Sequence, residues 1–226
     1  MTLDGFKQAL TCAGRWSSPR TLRRLDFFVS YMHVGHWMHA HEFWPRRRCR
    51  NRTDLFEMLF RQIGDESILY LEFGVYKGDS MRLWSAGLRN PAAQLVGFDS
   101  FEGLPSDWHA DAVAGRFTTA GRTPAIDDAR VSFVKGWFDE TLPAYKMPQH
   151  DRLVASLDAD IYSSTKLVLE WLAPHLKAGD ILYFDEFFDR TQELRAFDEF
   201  LDESKMRFRL VGATRSFTEV AFECLG

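Results

Sequence analysis

What most constrains the fold of this chain is an alternation. From residue 68 onward, short apolar runs take turns with stretches of helical periodicity. Ile68 to Phe73, Gln94 to Phe98, Val131 to Val134, Leu153 to Leu157 and Asp180 to Phe184 read as strands. Asp79 to Leu88, Phe138 to Tyr145 and Ser163 to about Leu176 read as helices, the last closed by Lys177-Ala-Gly179. A helix over Thr191 to Glu203 follows, then an antiparallel pair, Phe208 to Gly212 and Phe217 to Phe222. Ahead of the first strand, Thr53-Asp54 is placed to cap a helix from Leu55 to about Ile63, with Gly64 as its stop. Strands separated by helices bury both faces of a mostly parallel sheet. The expected class is therefore α/β: a Rossmann-like sheet with an antiparallel last strand, helices on both faces and a helical N-terminal cap. In such sheets ligands lie outside the carboxyl ends of the strands, so acids at those ends matter.

Residues 1–52 differ from the rest. They carry nine arginines and four of the seven histidines, with little strand character. Leu22 to Met38 has apolar residues at roughly helical spacing, which predicts one or two helices. The expected division is a cap or lid over 1–52 and a catalytic domain over 53–226. His33, His36, His39 and His41 raise a zinc site, but three-residue steps drift around a helix and scatter the rings. A cap facing a substrate, or plain surface histidines, are the other readings. The basic run Arg46-Arg47-Arg48-Cys49-Arg50-Asn51-Arg52 reads as a solvated connector, with an anion-binding patch as the alternative.

Composition narrows the partners. A formal net charge of -4 over 226 residues gives no basic surface for nucleic acid. No run approaches the roughly 18 apolar residues of a membrane span, and the N-terminus lacks an apolar signal core. Cys12, Cys49 and Cys224 are odd in number and far apart, which fits no disulfide framework. The expectation is a soluble cytoplasmic protein, with neither nucleic-acid nor membrane partner and with room for a homo-oligomer.

The first strand runs into Glu72-Phe-Gly74-Val-Tyr-Lys-Gly78. Gly74 permits a tight turn and Gly78 a close helix start. A dinucleotide loop wants three glycines; this one has two, with an acid just ahead of the first. That acid suits a ligand bearing an ammonium group and would repel a pyrophosphate. The second strand ends at Asp99, placed to accept the hydroxyls of a ribose. An amino acid at one end and a nucleoside at the other describe S-adenosylmethionine. Asp158 closes the fourth strand, and Asp185 with Glu186 closes the fifth. A single right-handed crossover joins these strands, so they lie side by side. Three carboxylates at one edge need a proton or a cation among them. An all-oxygen set favours a hard cation, and Mg²⁺ would keep positions open for substrate.

Leu71-Glu-Phe-Gly-Val-Tyr-Lys-Gly78, Gly97-Phe-Asp-Ser-Phe-Glu-Gly-Leu-Pro105, Lys135-Gly-Trp-Phe-Asp-Glu-Thr-Leu-Pro143, Leu157-Asp-Ala-Asp-Ile-Tyr-Ser-Ser-Thr165 and Asp185-Glu186-Phe187 resemble the blocks of the macrocin O-methyltransferase family. The resemblance covers about residues 55–205. It implies a class I methyltransferase acting on sugar hydroxyls of natural products. It further implies that Glu72, Gly74 and Gly78 line the methionine end of the donor, that Asp99 holds the ribose beside Ser100 and Phe101, and that Gly136 and Trp137 lie near the adenine. Tyr76, Ser80 and Asp158 complete the expected donor set. Asp158, Asp185 and Glu186 would hold Mg²⁺. Asp160 matches the acid proposed as general base in part of the family; an N-terminal helix cap is its other reading. The expected function is a Mg²⁺-dependent transfer of methyl from S-adenosylmethionine to a hydroxyl of a small metabolite, a sugar above all. A catechol acceptor or a donor-binding protein without turnover are the alternatives.

Overall fold

The computed structural model describes residues 2–45, 48–108 and 112–226. Its elements in chain order are α1 (Leu3–Gly14), α2 (Pro19–Ala40), α3 (Arg52–Ile63), β1 (Ile68–Phe73), α4 (Asp79–Gly87), β2 (Gln94–Asp99), β3 (Val131–Lys135), α5 (Phe138–Thr141), β4 (Arg152–Leu157), α6 (Tyr162–Leu172), β5 (Ile181–Phe184), α7 (Glu193–Ser204), β6 (Phe208–Ala213) and β7 (Val220–Cys224). The sheet order is β3-β2-β1-β4-β5-β7-β6. All pairs are parallel except those of β7 with β5 and β6. This is the expected α/β architecture. The chain walks outward from β1 to β3 and then returns to β4, so strand order reverses between β1 and β4. A crevice opens at such a reversal.

Alternation along the strands divides the core. Leu69, Leu71, Phe73, Leu153, Ala155 and Leu157 face one side, packed with α6, α7 and the end of α2. Ile68, Tyr70, Val154, Ile181 and Tyr183 face the other, packed with α3 and α4. A strand buried on both faces reads as a continuous apolar run, which is why β1, β4 and β5 were legible. Asp180, itself buried, accepts from the backbone N–H groups of Leu153 and Lys177 (both 2.9 Å), tying the starts of β4 and β5 together.

Element boundaries moved where a side chain did something local. α3 begins three residues early because Asn51 caps it, accepting from the Asp54 N–H. Asp54 pairs with Arg50 instead. β7 begins at Val220, not Phe217, because Phe217 (φ 57°) sits in the turn whose N–H reaches the Thr214 carbonyl.

The first forty residues form two helices. α1 buries no residue, and α2 buries only Ser30, Val34, Trp37 and Met38, all in its second half. That half belongs to the core: Trp37 packs edge-on against Phe187 and donates to Asp198 (2.6 Å). The four histidines of this segment are exposed. Of the basic run, Arg46 and Arg47 lie outside the described residues. Arg48 is no solvated connector: its guanidinium lies 4.5 Å from the Trp44 ring centroid and 4.2 Å from that of Phe217. Cys12, Cys49 and Cys224 are free thiols. No helix among the described residues is long and apolar enough to cross a membrane.

Candidate active site

A cavity of about 590 Å³ opens at the carboxyl ends of β1, β2 and β4. One wall is the loop after β1, with Gly74 and Tyr76. Asp99 and Ser100 follow from the end of β2, and Gly136 and Trp137 from the end of β3. The lining also holds Asp158 and Asp160 after β4, Ser163 and Ser164 on α6, and Glu186 after β5. The volume suits a small-molecule ligand, and the walls are mostly apolar with a few converging polar groups.

The backbone explains the glycines. Gly74 has φ 94°, and any Cβ there would fall 1.8 Å from the Asp158 carbonyl oxygen. The β1 loop therefore presses directly on the β4 turn. Asp99 braces the same loop. Its Oδ2 accepts from the Val75 and Tyr76 N–H groups (both 2.8 Å), and its Oδ1 from Phe101 N–H (2.7 Å). Tyr76 (φ 51°), Phe101 (φ 60°) and Asp160 (φ 61°) all adopt a left-handed backbone without being glycine. Such strain costs about 1–3 kcal/mol per residue and gathers at functional sites.

Several expected donor residues stand behind the cavity wall. Phe101 is fully buried, edge-on to Phe133. Gly78 starts α4 with φ 77°, and Ser80 is buried within that helix. Glu72 is buried between Gly97 of β2 and Ser156 of β4. Its Oε2 has no hydrogen-bond partner, and burial, then Asp185, push its pKa well up. An orphaned buried carboxyl oxygen is what a donor ammonium group would satisfy.

The acidic corner is larger than the sequence reading had it. Asp158 is pushed well above the usual carboxylate range by burial and by Asp185 and Asp160. Burial, then Asp185 and Asp99, lift Asp160 to about 7. Burial, then Asp160 and Asp185, lift Glu186 to about 8. A fifth acid, Glu193, joins them from the first turn of α7. It is fully buried, its Oε2 accepts from the Glu186 N–H (3.0 Å), and its Oε1 has no partner. The sequence did hold a signal for Glu193: it sits on the apolar face of α7, in register with Phe197 and Phe200. Asp160 does not cap α6; Ile161 occupies the cap position, without a side-chain hydrogen bond.

Asp185 is turned elsewhere. Both its oxygens face Arg52 Nη1 (3.3 and 3.4 Å), and its Oδ1 accepts from the Tyr183 hydroxyl (2.7 Å). It does not line the cavity. Among the described residues no three His, Cys, Asp or Glu side chains stand arranged to hold a metal ion. The donor chemistry itself fits a hard cation: five carboxylates, an orphaned buried oxygen and no soft ligand. Arg52 was missed by sequence reasoning because it reads as the tail of a basic run.

Residues 39–212 match the model of the macrocin O-methyltransferase family. The chain belongs to that family. A relative from Streptomyces olivaceus, 8-demethyl-8-(2,3-dimethoxy-alpha-L-rhamnosyl)-tetracenomycin-C 4'-O-methyltransferase, is 33% identical over 141 residues, 52% of each chain. The chain thus spans about half the length of the curated relative it matches. The crystal structure of a calicheamicin methyltransferase, CalS11, superposes with a TM-score of 0.62 at 27% identity, over 76% of this chain and 80% of that one. The O-methyltransferase NovP gives 0.60 at 22%, over 77% and 80%, a likeness of fold. Within the matched range, the Gly74 loop, the Asp99 turn, Gly136-Trp137 and the Asp158-Asp160 turn all wall one cavity.

Proposed function

We propose that this chain is a Mg²⁺-dependent O-methyltransferase, moving a methyl group from S-adenosylmethionine to a sugar hydroxyl of a glycosylated natural product. The observation that carries the reading is one cavity lined by the glycine loop together with Asp158, Asp160 and Glu186. The names of the relatives support the acceptor class. When bound, S-adenosylmethionine supplies a methyl group on a positively charged sulfur, and a divalent cation polarises the acceptor hydroxyl.

The chain's own residues do the rest. Gly74, Tyr76 and Gly78 shape the donor loop, with Glu72 behind it and Ser80 at the helix start. Asp99 and Ser100 stand at the ribose end, Phe101 backs them, and Gly136 with Trp137 flanks the adenine. Asp158, Asp185 and Glu186 would hold the cation. Asp160 is the general base. Its raised pKa lets it take the hydroxyl proton near neutral pH, where a base of ordinary acidity would be too weak. The apolar walls exclude water and align the reactants, a large part of the rate for a donor with its own leaving group.

Residues 1–52 would act as a helical cap ahead of a methyltransferase domain over 53–226, in a cytoplasmic protein. Among the described residues, none of that segment lines the cavity. The apolar outer face of α1 and α2 would be covered by a second copy of the chain. The deciding experiment is transfer of labelled methyl to a panel of glycosylated metabolites and catechols, with and without chelator. A thermal shift by S-adenosylmethionine should precede it. No shift at saturating donor removes the cofactor assignment, and full activity in chelator removes the metal.

A further inference from the structure

Arg52 stands where the metal reading leaves a gap. It is the first residue of α3, and its backbone is pinned on both sides. Asn51 caps the helix, Arg50 pairs with Asp54 (2.8 Å), and the Cys49 N–H donates to the Ala213 carbonyl (2.8 Å). The guanidinium is therefore delivered from a fixed base into the acidic corner. It lies across both oxygens of Asp185, and its charge is also felt at Asp158 and Tyr183. The pair is largely removed from water, with Asp185 18% and Arg52 33% exposed.

The consequence is geometric. Asp158 and Glu186 line the cavity; Asp185, the third expected ligand, does not. It is held aside by Arg52 and by the Tyr183 hydroxyl (2.7 Å). The fully buried Glu193 keeps an unpartnered oxygen in the same corner, so the cluster still lacks a partner that Arg52 does not provide. A guanidinium and a divalent cation cannot both neutralise Asp185 at full strength, because like charges a few ångströms apart in a half-dry site repel. Guanidinium stays charged throughout the working pH range, so protonation does not relieve the conflict.

We propose that Arg52 is an internal counter-ion that competes with the divalent cation for Asp185, so that the Arg52–Asp185 pair must open before the metal triad closes. This rests on the metal reading above and adds to it a residue that weakens resting metal affinity. By this logic Arg52 keeps the corner neutralised while no metal is bound, and it makes metal binding depend on a movement at the start of α3.

The test measures metal binding itself, not turnover. Mn²⁺ binding to the intact, donor-free protein is followed by calorimetry and by paramagnetic resonance for wild type and Arg52→Gln. The expected result is tighter binding by the variant, by roughly 5- to 150-fold, the usual range for coupled sites. Equal or weaker binding by a folded variant overturns the proposal and leaves the metal reading standing. No Mn²⁺ binding by either protein sinks both. A second measurement needs no loss of the side chain: the Arg52 Nε–Hε resonance of wild type, assigned by its absence in Arg52→Lys, should shift on adding Mg²⁺ while binding saturates. An unmoved resonance at saturation overturns the proposal even if Arg52→Gln fails to fold.

Discussion

Asp160 is the residue on which the proposed chemistry turns. It holds a left-handed backbone, lines the cavity and is lifted to about 7 by burial and by its acidic neighbours. A base must be deprotonated to work, so turnover should fall as pH drops, with a midpoint that a cation on Asp158 draws below the metal-free value of about 7. Asp160→Asn should lower turnover by about 10²- to 10⁴-fold, the usual weight of a general base. Donor affinity, measured by calorimetry, should stay within a few-fold of wild type. Full activity in Asp160→Asn would move the base elsewhere. Gly74 gives a second residue-scale expectation. Gly74→Ala places a methyl on the Asp158 carbonyl and forces alanine to φ 94°. The strained backbone alone costs about 1–3 kcal/mol, and donor binding should be lost with the loop's shape. A thermal melt with and without S-adenosylmethionine reads both.

Between elements, the contact of α6 with α7 carries a network with a definite pH signature. Glu199 on α7 accepts from the Tyr162 hydroxyl (2.5 Å), Lys166 Nζ (3.0 Å) and Arg195 Nε (2.9 Å). These partners, Tyr162 first, pull its pKa from the ordinary 4.5 down to about 2. The unfolded chain thus takes up the proton at higher pH than the folded one. The network's stabilisation is fully present above about 4.5 and is lost as pH falls toward 2. Glu199→Gln should melt below wild type at pH 7, with the gap narrowing as pH drops through that window; a pH-independent gap would mean packing alone is at work. The apolar side of the same helix is a larger matter. Phe197 is fully buried and packs against Phe184, Phe208 and Phe222. Phe197→Ala should cost about 3–5 kcal/mol in denaturant unfolding.

At the scale of the molecule, both N-terminal helices leave apolar side chains wet in a lone copy. Leu3, Phe6 and Leu10 stripe α1, while Leu25, Phe28 and Met32 stand on α2, each between 47% and 76% exposed. A helix of twelve residues with nothing buried is marginal in water, and exposed apolar stripes like these would find cover in an interface. A second copy presenting the same face would close such a contact about a two-fold axis. The full chain should therefore run as a dimer in light scattering. Phe28→Asp combined with Met32→Asp should yield a folded monomer; an unchanged mass would place the interface elsewhere.

The amino-acid sequence by itself determined the order of strands and helices, because a strand buried on both faces must be an apolar run. It also determined the glycine loop and most acids of the cavity, because acids and glycines at strand ends break those runs. β1 through β5 and the walls carrying Gly74, Asp99, Asp158, Asp160 and Glu186 follow from that pattern alone. Only the tertiary structure decided how the acids are shared. Asp185 and Arg52 are 133 residues apart, so no local pattern pairs them. Glu193 shares the apolar face of α7 in the sequence, but only the docking of that helix sets it behind Glu186. Asp99 closes β2 in the sequence, but only the folded β1 loop shows that its oxygens also brace the backbone of Val75 and Tyr76 while it lines the cavity. Spacing along a chain fixes which side chains reach one sheet edge. Which of them meet there, and which are held apart, depends on contacts between segments that are distant in sequence.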